Sequence, residues 1–181
     1  GAVLAIIVLA LFLKDVRPTI VVAFSIPFSV LFALVIMYFT GININVMSLA
    51  GLCLGIGMLV DNSVVVMENI YRLRSKGLSS PRAAVQGTKQ VLGPIIASTI
   101  TTICVFLPMV YTSGTVSQML IPFSFTISYS LIASLLVAIT VVPTMGSIML
   151  KKVKNPKHKL FDKIKDAYGK SLEFFLKHKA I

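Results

Sequence analysis

The sequence predicts an all-α, polytopic transmembrane helix bundle followed by a cytoplasmic amphipathic surface helix. Three observations carry that prediction. Of the 181 residues, 56% are hydrophobic and only 13% are charged, against roughly 45–50% and about 25% in soluble domains. The apolar residues gather into five segments divided by short polar or basic connections. The positive charge, a formal net +11, falls only in alternate connections. Such hydrophobicity excludes a disordered chain. The two cysteines, Cys53 and Cys104, sit inside apolar runs and offer neither a disulfide framework nor a zinc cage. No metal and no cofactor is expected.

The membrane part covers residues 1–150, with segments at about 1–13, 18–39, 46–67, 91–111 and 119–150. A spanning helix needs about 20 apolar residues, and the second, third and fourth segments meet that length. The first, Ala2–Leu13, reaches only about 18 Å at 1.5 Å per residue. It lacks the basic stretch that precedes a signal-peptide core and reads as the tail of a spanning helix that starts upstream. Pro18 opens the second segment, where a first-turn proline costs little. Gly41, Asn43 and Asn45 make a tight turn before the third, and Pro94 falls in the first turns of the fourth. The fifth would extend about 48 Å, so it is tilted, kinked, or continues beyond the hydrocarbon. Pro27, Pro108, Pro122 and Pro143 lie in or near helix interiors, where neighbouring helices satisfy the freed carbonyls.

The 17 cations order the segments across the membrane. Lys14 and Arg17 follow the first; Arg72, Arg74, Lys76, Arg82 and Lys89 separate the third from the fourth; the remaining ten are lysines after Leu150. The connections at 41–45 and 112–118 carry none. Alternating basic and uncharged loops form the positive-inside pattern, which places the chain in the cell (inner) membrane as a multi-pass protein with a cytoplasmic C-terminal tail. The basic charge thus records orientation among membrane lipids, and no nucleic-acid partner is expected. In residues 151–181, Leu160, Phe161, Ile164, Ala167, Tyr168, Leu172, Phe175 and Leu176 trace one helical stripe opposite lysines. That pattern suits a helix lying on the inner leaflet or one packed on a partner domain. Residues 174–181 equally suit the start of another crossing.

Among the six acids, Asp61 alone falls within an apolar run at membrane depth. A charge there costs about 2.5–3.5 kcal/mol on insertion scales, so such a group faces the bundle interior and commonly handles protons or ions. The bland alternative is a static hydrogen bond from a protonated Asp61. Asn62 adds a second polar group about 100° round the helix. Gly51 and Gly55 form a G-x-x-x-G pair, with Gly57 nearby, that lets another helix approach closely. Ser98, Thr99 and Thr102 offer hydroxyls on the next helix, although such groups commonly bond their own helix carbonyls.

The stretch Gly55–Ile–Gly–Met–Leu–Val–Asp61–Asn62–Ser–Val–Val–Val–Met–Glu68–Asn69–Ile resembles the fourth transmembrane helix of resistance-nodulation-division (RND) transporters, in the hydrophobe/amphiphile efflux, or acriflavine-resistance, branch. Gly87–Thr–Lys89 with Gly93–Pro–Ile–Ile–Ala–Ser98–Thr–Ile–Thr–Thr102 resembles that family's fifth helix. Leu11–Phe–Leu–Lys–Asp–Val–Arg17 is similar to the junction of its second and third. The resemblance implies helices two to six of the first half of a twelve-helix secondary transporter, with no enzyme activity of its own. It implies proton/substrate antiport, with Asp61 and the Asn62 position on the proton relay and a lysine on the tenth helix as their partner. The second half of the same transporter, a homotrimer, an adaptor and an outer-membrane channel are the implied partners. Two other classes compete. An intramembrane aspartyl protease needs paired aspartates, and here Gly57 is followed by Met58. In a channel-like bundle, Asp61 would line a pore.

Overall fold

The structure, a computed structural model, describes residues 16–150. Residues 1–15, with the first apolar segment, and 151–181, with the amphipathic stripe, lie outside the described residues. Four helices make up the bundle: α1 (Val16–Thr40), α2 (Val46–Ser75), α3 (Ser80–Phe106) and α4 (Ser117–Met149), with a 3-10 turn at Leu107–Tyr111 after α3. With that turn counted as part of α3, all four are long and apolar enough to cross a membrane.

Each boundary has a local cause. Gly41 adopts φ +72°, a conformation open to glycine and strained for most side chains, and the chain reverses there. Asn45 then caps α2 reciprocally: its Oδ1 accepts from the Ser48 N–H at 2.8 Å, and its own N–H donates to Ser48 Oγ at 2.7 Å. That capping box satisfies two donors the helix leaves open. α2 runs eight residues past Met67 to Ser75, and α3 begins at Ser80. Both helices therefore carry polar ends beyond their apolar cores. Phe106 ends α3, and its carbonyl accepts from Ser124 Oγ on α4 at 2.7 Å, an interhelical answer to an orphan acceptor.

α4 is the central element. It packs most extensively on α2 and also on α1 and α3, whereas α1 and α3 do not meet among the described residues. Half of the most apolar stretch of α4 is buried, against 11% for that of α3. The interior is small and partly polar. Ser25, Ser29, Ser63, Thr126, Ser130 and Ser134 are buried, while Phe24, Phe28, Leu31, Phe32 and Val35 of α1 point outward. Lipid is as apolar as leucine, so helices gain from close approach of small residues and not from hiding large ones. Gly51 and Gly55 show this directly. A Cβ on Gly51 would lie 2.9 Å from the Phe123 carbonyl oxygen, and one on Gly55 would lie 2.7 Å from Ser130 Cβ. Gly87 plays the same part on α3, where a Cβ would meet Ile70 at 2.9 Å.

Candidate functional site: an acid-lined cleft between α2 and α3

Buried and exposed residues alternate along α2 with helical spacing. Asn62, Ser63, Val66, Met67 and Ile70 are buried; Leu54, Gly57, Asp61, Val65, Glu68 and Arg72 are exposed. The second set steps by three and four residues and so forms one continuous stripe. Asp61 lies on it. The expectation that Asp61 faces the interior of this bundle is therefore corrected: within the described residues it is exposed, and its neighbour Asn62 is the residue turned inward. The roughly 100° between adjacent helical residues is enough to separate them.

Asp61 opens onto a cleft of about 260 Å³ lined by Met58, Asp61, Asn62, Ser98, Thr99, Thr102 and Leu131. The cleft brings α2, α3 and α4 together at one point. Asn62 spans them: its Nδ2 lies 3.5 Å from Thr99 Oγ1 and 3.4 Å from Ser134 Oγ. These are long hydrogen bonds, but both donors of the amide find an acceptor. Ser98 Oγ donates to the Ile95 carbonyl at 3.0 Å and Thr102 Oγ1 to the Ser98 carbonyl at 2.9 Å. With their hydrogens committed, those hydroxyls present lone pairs to the cleft and can accept a proton-bearing group or a water.

The three glycines divide. Gly51 and Gly55 seat α2 on α4, while a Cβ on Gly57 would meet nothing within 4 Å. Close packing stops at Gly55, and Gly57 stands on the exposed stripe one turn before Asp61. Leu131, which lines the cleft, and Ser134, which accepts from Asn62, come from α4, and the sequence alone did not single them out. Their signal was the run of small residues at Ser130, Ser134 and Ala138, all buried, spaced four apart.

Toward the charged ends of α2 and α3, polar residues lock the frame. Asn69 Nδ2 donates to the Gly87 carbonyl at 2.7 Å and to Gln90 Oε1 at 3.2 Å, and its Oδ1 accepts from Arg72 Nη2 at 2.6 Å. Arg74 Nε and Ser80 Oγ each donate to the Leu150 carbonyl, both at 2.8 Å. The cleft thus sits on a rigid base with its acid on the open side.

Across residues 1–181 the sequence matches the AcrB/AcrD/AcrF family. The chain belongs to that family. It is the RND transporter family that the Gly55–Ile70 stretch resembles. Among the relatives of this AcrB/AcrD/AcrF chain, the swarming motility protein SwrC of Bacillus subtilis (strain 168) is 38% identical over 190 residues, covering 100% of this chain and 18% of SwrC. The multidrug resistance protein MdtC of Escherichia coli O139:H28 is 35% identical over 182 residues, 97% of this chain and 18% of its own length. MdtC of Enterobacter sp. (strain 638) is 34% identical over 185 residues, 98% and 18%. The chain spans under a fifth of the length of these curated relatives.

Proposed function

We propose that this chain carries the proton-relay helices of a proton-driven multidrug or amphiphile efflux pump. The observation that carries the reading is the exposed stripe of α2 bearing Asp61 and Glu68. An acid exposed to hydrocarbon costs about 2.5–3.5 kcal/mol, so Asp61 calls for a facing protein surface or water-filled space. The second half of the same transporter, with the tenth-helix lysine that the resemblance implies, would supply both shelter and a cation. Approach and separation of the two surfaces would change what faces that carboxylate. Asn62 carries no proton of its own and serves as the amide that holds α2, α3 and α4 in register beneath the acid.

Proton movement through Asp61 would then bias two arrangements of the helices and so drive antiport of a substrate. The MdtC relatives are multidrug resistance proteins, which supports amphiphilic compounds as the exported class. Orientation follows the basic connections: Ser75–Ser80 toward the cytoplasm, Gly41 and Thr112–Gln118 outward, residues 151–181 on the cytoplasmic side of the inner membrane. Assembly as a homotrimer, with an adaptor and an outer-membrane channel where the host has an outer membrane, completes the proposal.

The test replaces Asp61 by Asn in the full-length transporter, reconstituted in liposomes with an imposed pH gradient. Gradient-driven efflux is expected to fall to background while the folded yield stays that of the parent. Efflux at the parental rate would remove Asp61 from the relay.

A further inference from the structure

A groove of about 570 Å³ runs between α3 and α4, lined by Val85 and Lys89 on one helix and Ile139, Thr140, Pro143 and Thr144 on the other. It shares no residue with the Asp61 cleft. On α3 the groove residue Lys89 lies nine residues, about 13 Å, before the cleft residue Ser98; on α4 Thr140 lies nine residues past Leu131 and about 180° round the helix. Val85, Lys89 and Thr140 are exposed among the described residues.

Its depth is set by charge. Lys89 is the last charged residue before 90–150, a stretch without Asp, Glu, Lys or Arg. It marks where hydrocarbon gives way to headgroups, and a lysine stem there directs its ammonium toward the headgroup layer. The 33 residues of α4 extend about 50 Å, roughly 20 Å more than the hydrocarbon is thick, so its last turns reach the same layer. The hydroxyls are already committed as donors: Thr140 to the Leu136 carbonyl at 2.5 Å, Thr144 to that of Thr140 at 2.6 Å, Ser147 to that of Thr144 at 2.7 Å. Toward the groove they offer lone pairs. One cation, several hydroxyl acceptors and apolar walls fit a ligand with one anion, hydroxyl donors and a hydrocarbon portion.

We propose that this groove binds the headgroup of an anionic, hydroxyl-bearing glycerophospholipid of the phosphatidylglycerol class. The other candidate occupant, the apolar stripe at 160–176, carries Lys163, Lys165 and Lys170 against Asp162, Asp166 and Glu173, with no net charge to answer Lys89, so charge complementarity favours the anionic lipid. Assignment to the cytoplasmic leaflet rests on the orientation proposed above; binding does not.

The full-length transporter, delipidated and titrated with dioleoyl-phosphatidylglycerol or dioleoyl-phosphatidylcholine, is read by native mass spectrometry for lipids retained. The parent is expected to hold phosphatidylglycerol in preference to phosphatidylcholine. Lys89→Gln weakens that retention about fivefold, Lys89→Arg restores it, and Val85→Trp abolishes it by filling the groove without changing charge. Lys76→Gln, an exposed cation at the end of α2 and outside the groove, leaves it unchanged. Equal retention by Lys89→Gln and parent, equal retention of the two lipids, or an equal loss in Lys76→Gln would overturn the proposal. So would efficient crosslinking of Thr144→Cys to Leu160→Cys in the lipid-loaded protein. The readout needs no transport, so it stands apart from the fate of the Asp61 relay.

Discussion

Asp61 and Asn62 are chain neighbours with opposite surroundings, one exposed and one bonded between three helices. Asn62→Leu removes the amide that links α2 to Thr99 on α3 and Ser134 on α4. It is expected to lower stability by about 1 kcal/mol, measured by thermal unfolding of the full-length protein in detergent. The glycines give a sharper contrast. Gly55→Ala forces a Cβ to within 2.7 Å of Ser130 Cβ, an overpacking that costs about 1–3 kcal/mol; adding Ser130→Gly removes the obstructing atom and should restore most of the loss. Gly57→Ala meets no described atom and gains helix propensity, worth up to about 1 kcal/mol. A loss at Gly57 as large as at Gly55 would show a further helix seated against that stripe. The sequence announced the polar and small residues of this site without ambiguity, because a carboxylate and an amide in an apolar run are visible at sight. It did not tell which of the pair faced inward.

At the scale of the helices, boundaries depend on caps that hydropathy does not see. Four of the apolar runs fall within the described helices, but α2 continues to Ser75 and α3 begins at Ser80, since charged and polar residues sustain a helix beyond its apolar part. Asn45→Ala breaks the capping box and is expected to cost about 1 kcal/mol, seen as a lower unfolding midpoint; no change would mean that water caps α2 equally well. At the opposite end, Arg74 and Ser80 both hold the Leu150 carbonyl. The double variant Arg74→Ala with Ser80→Ala should speed hydrogen exchange of the Gly146–Leu150 amides, while the amides of α2 near Asn62 keep their protection. Small residues at Gly87 and at Ser130, Ser134 and Ala138 also set helix contacts, and their spacing was legible once a partner helix was known.

For the whole molecule, orientation is the prediction that the charge pattern makes most directly. With the exposed Cys53 and Cys104 replaced by serine, a membrane-impermeant maleimide added to intact cells should label Asn43→Cys and spare Lys76→Cys. The reverse pattern would invert the topology and move the Lys89 groove to the outer leaflet. The sequence by itself determined that this is a helical chain long and apolar enough to span a membrane, which family it resembles and which acid is anomalous. These follow from composition and one-dimensional order, because hydropathy and charge act on each segment separately. Only the tertiary structure decided that α4 is central, that Asn62 and not Asp61 is buried among the described helices, and that a second groove opens between α3 and α4. In water the apolar face of a helix reveals which side is inward. In lipid both sides are apolar, so the rotation of each helix is fixed by small-residue contacts with its neighbours, and those exist only once the helices are packed.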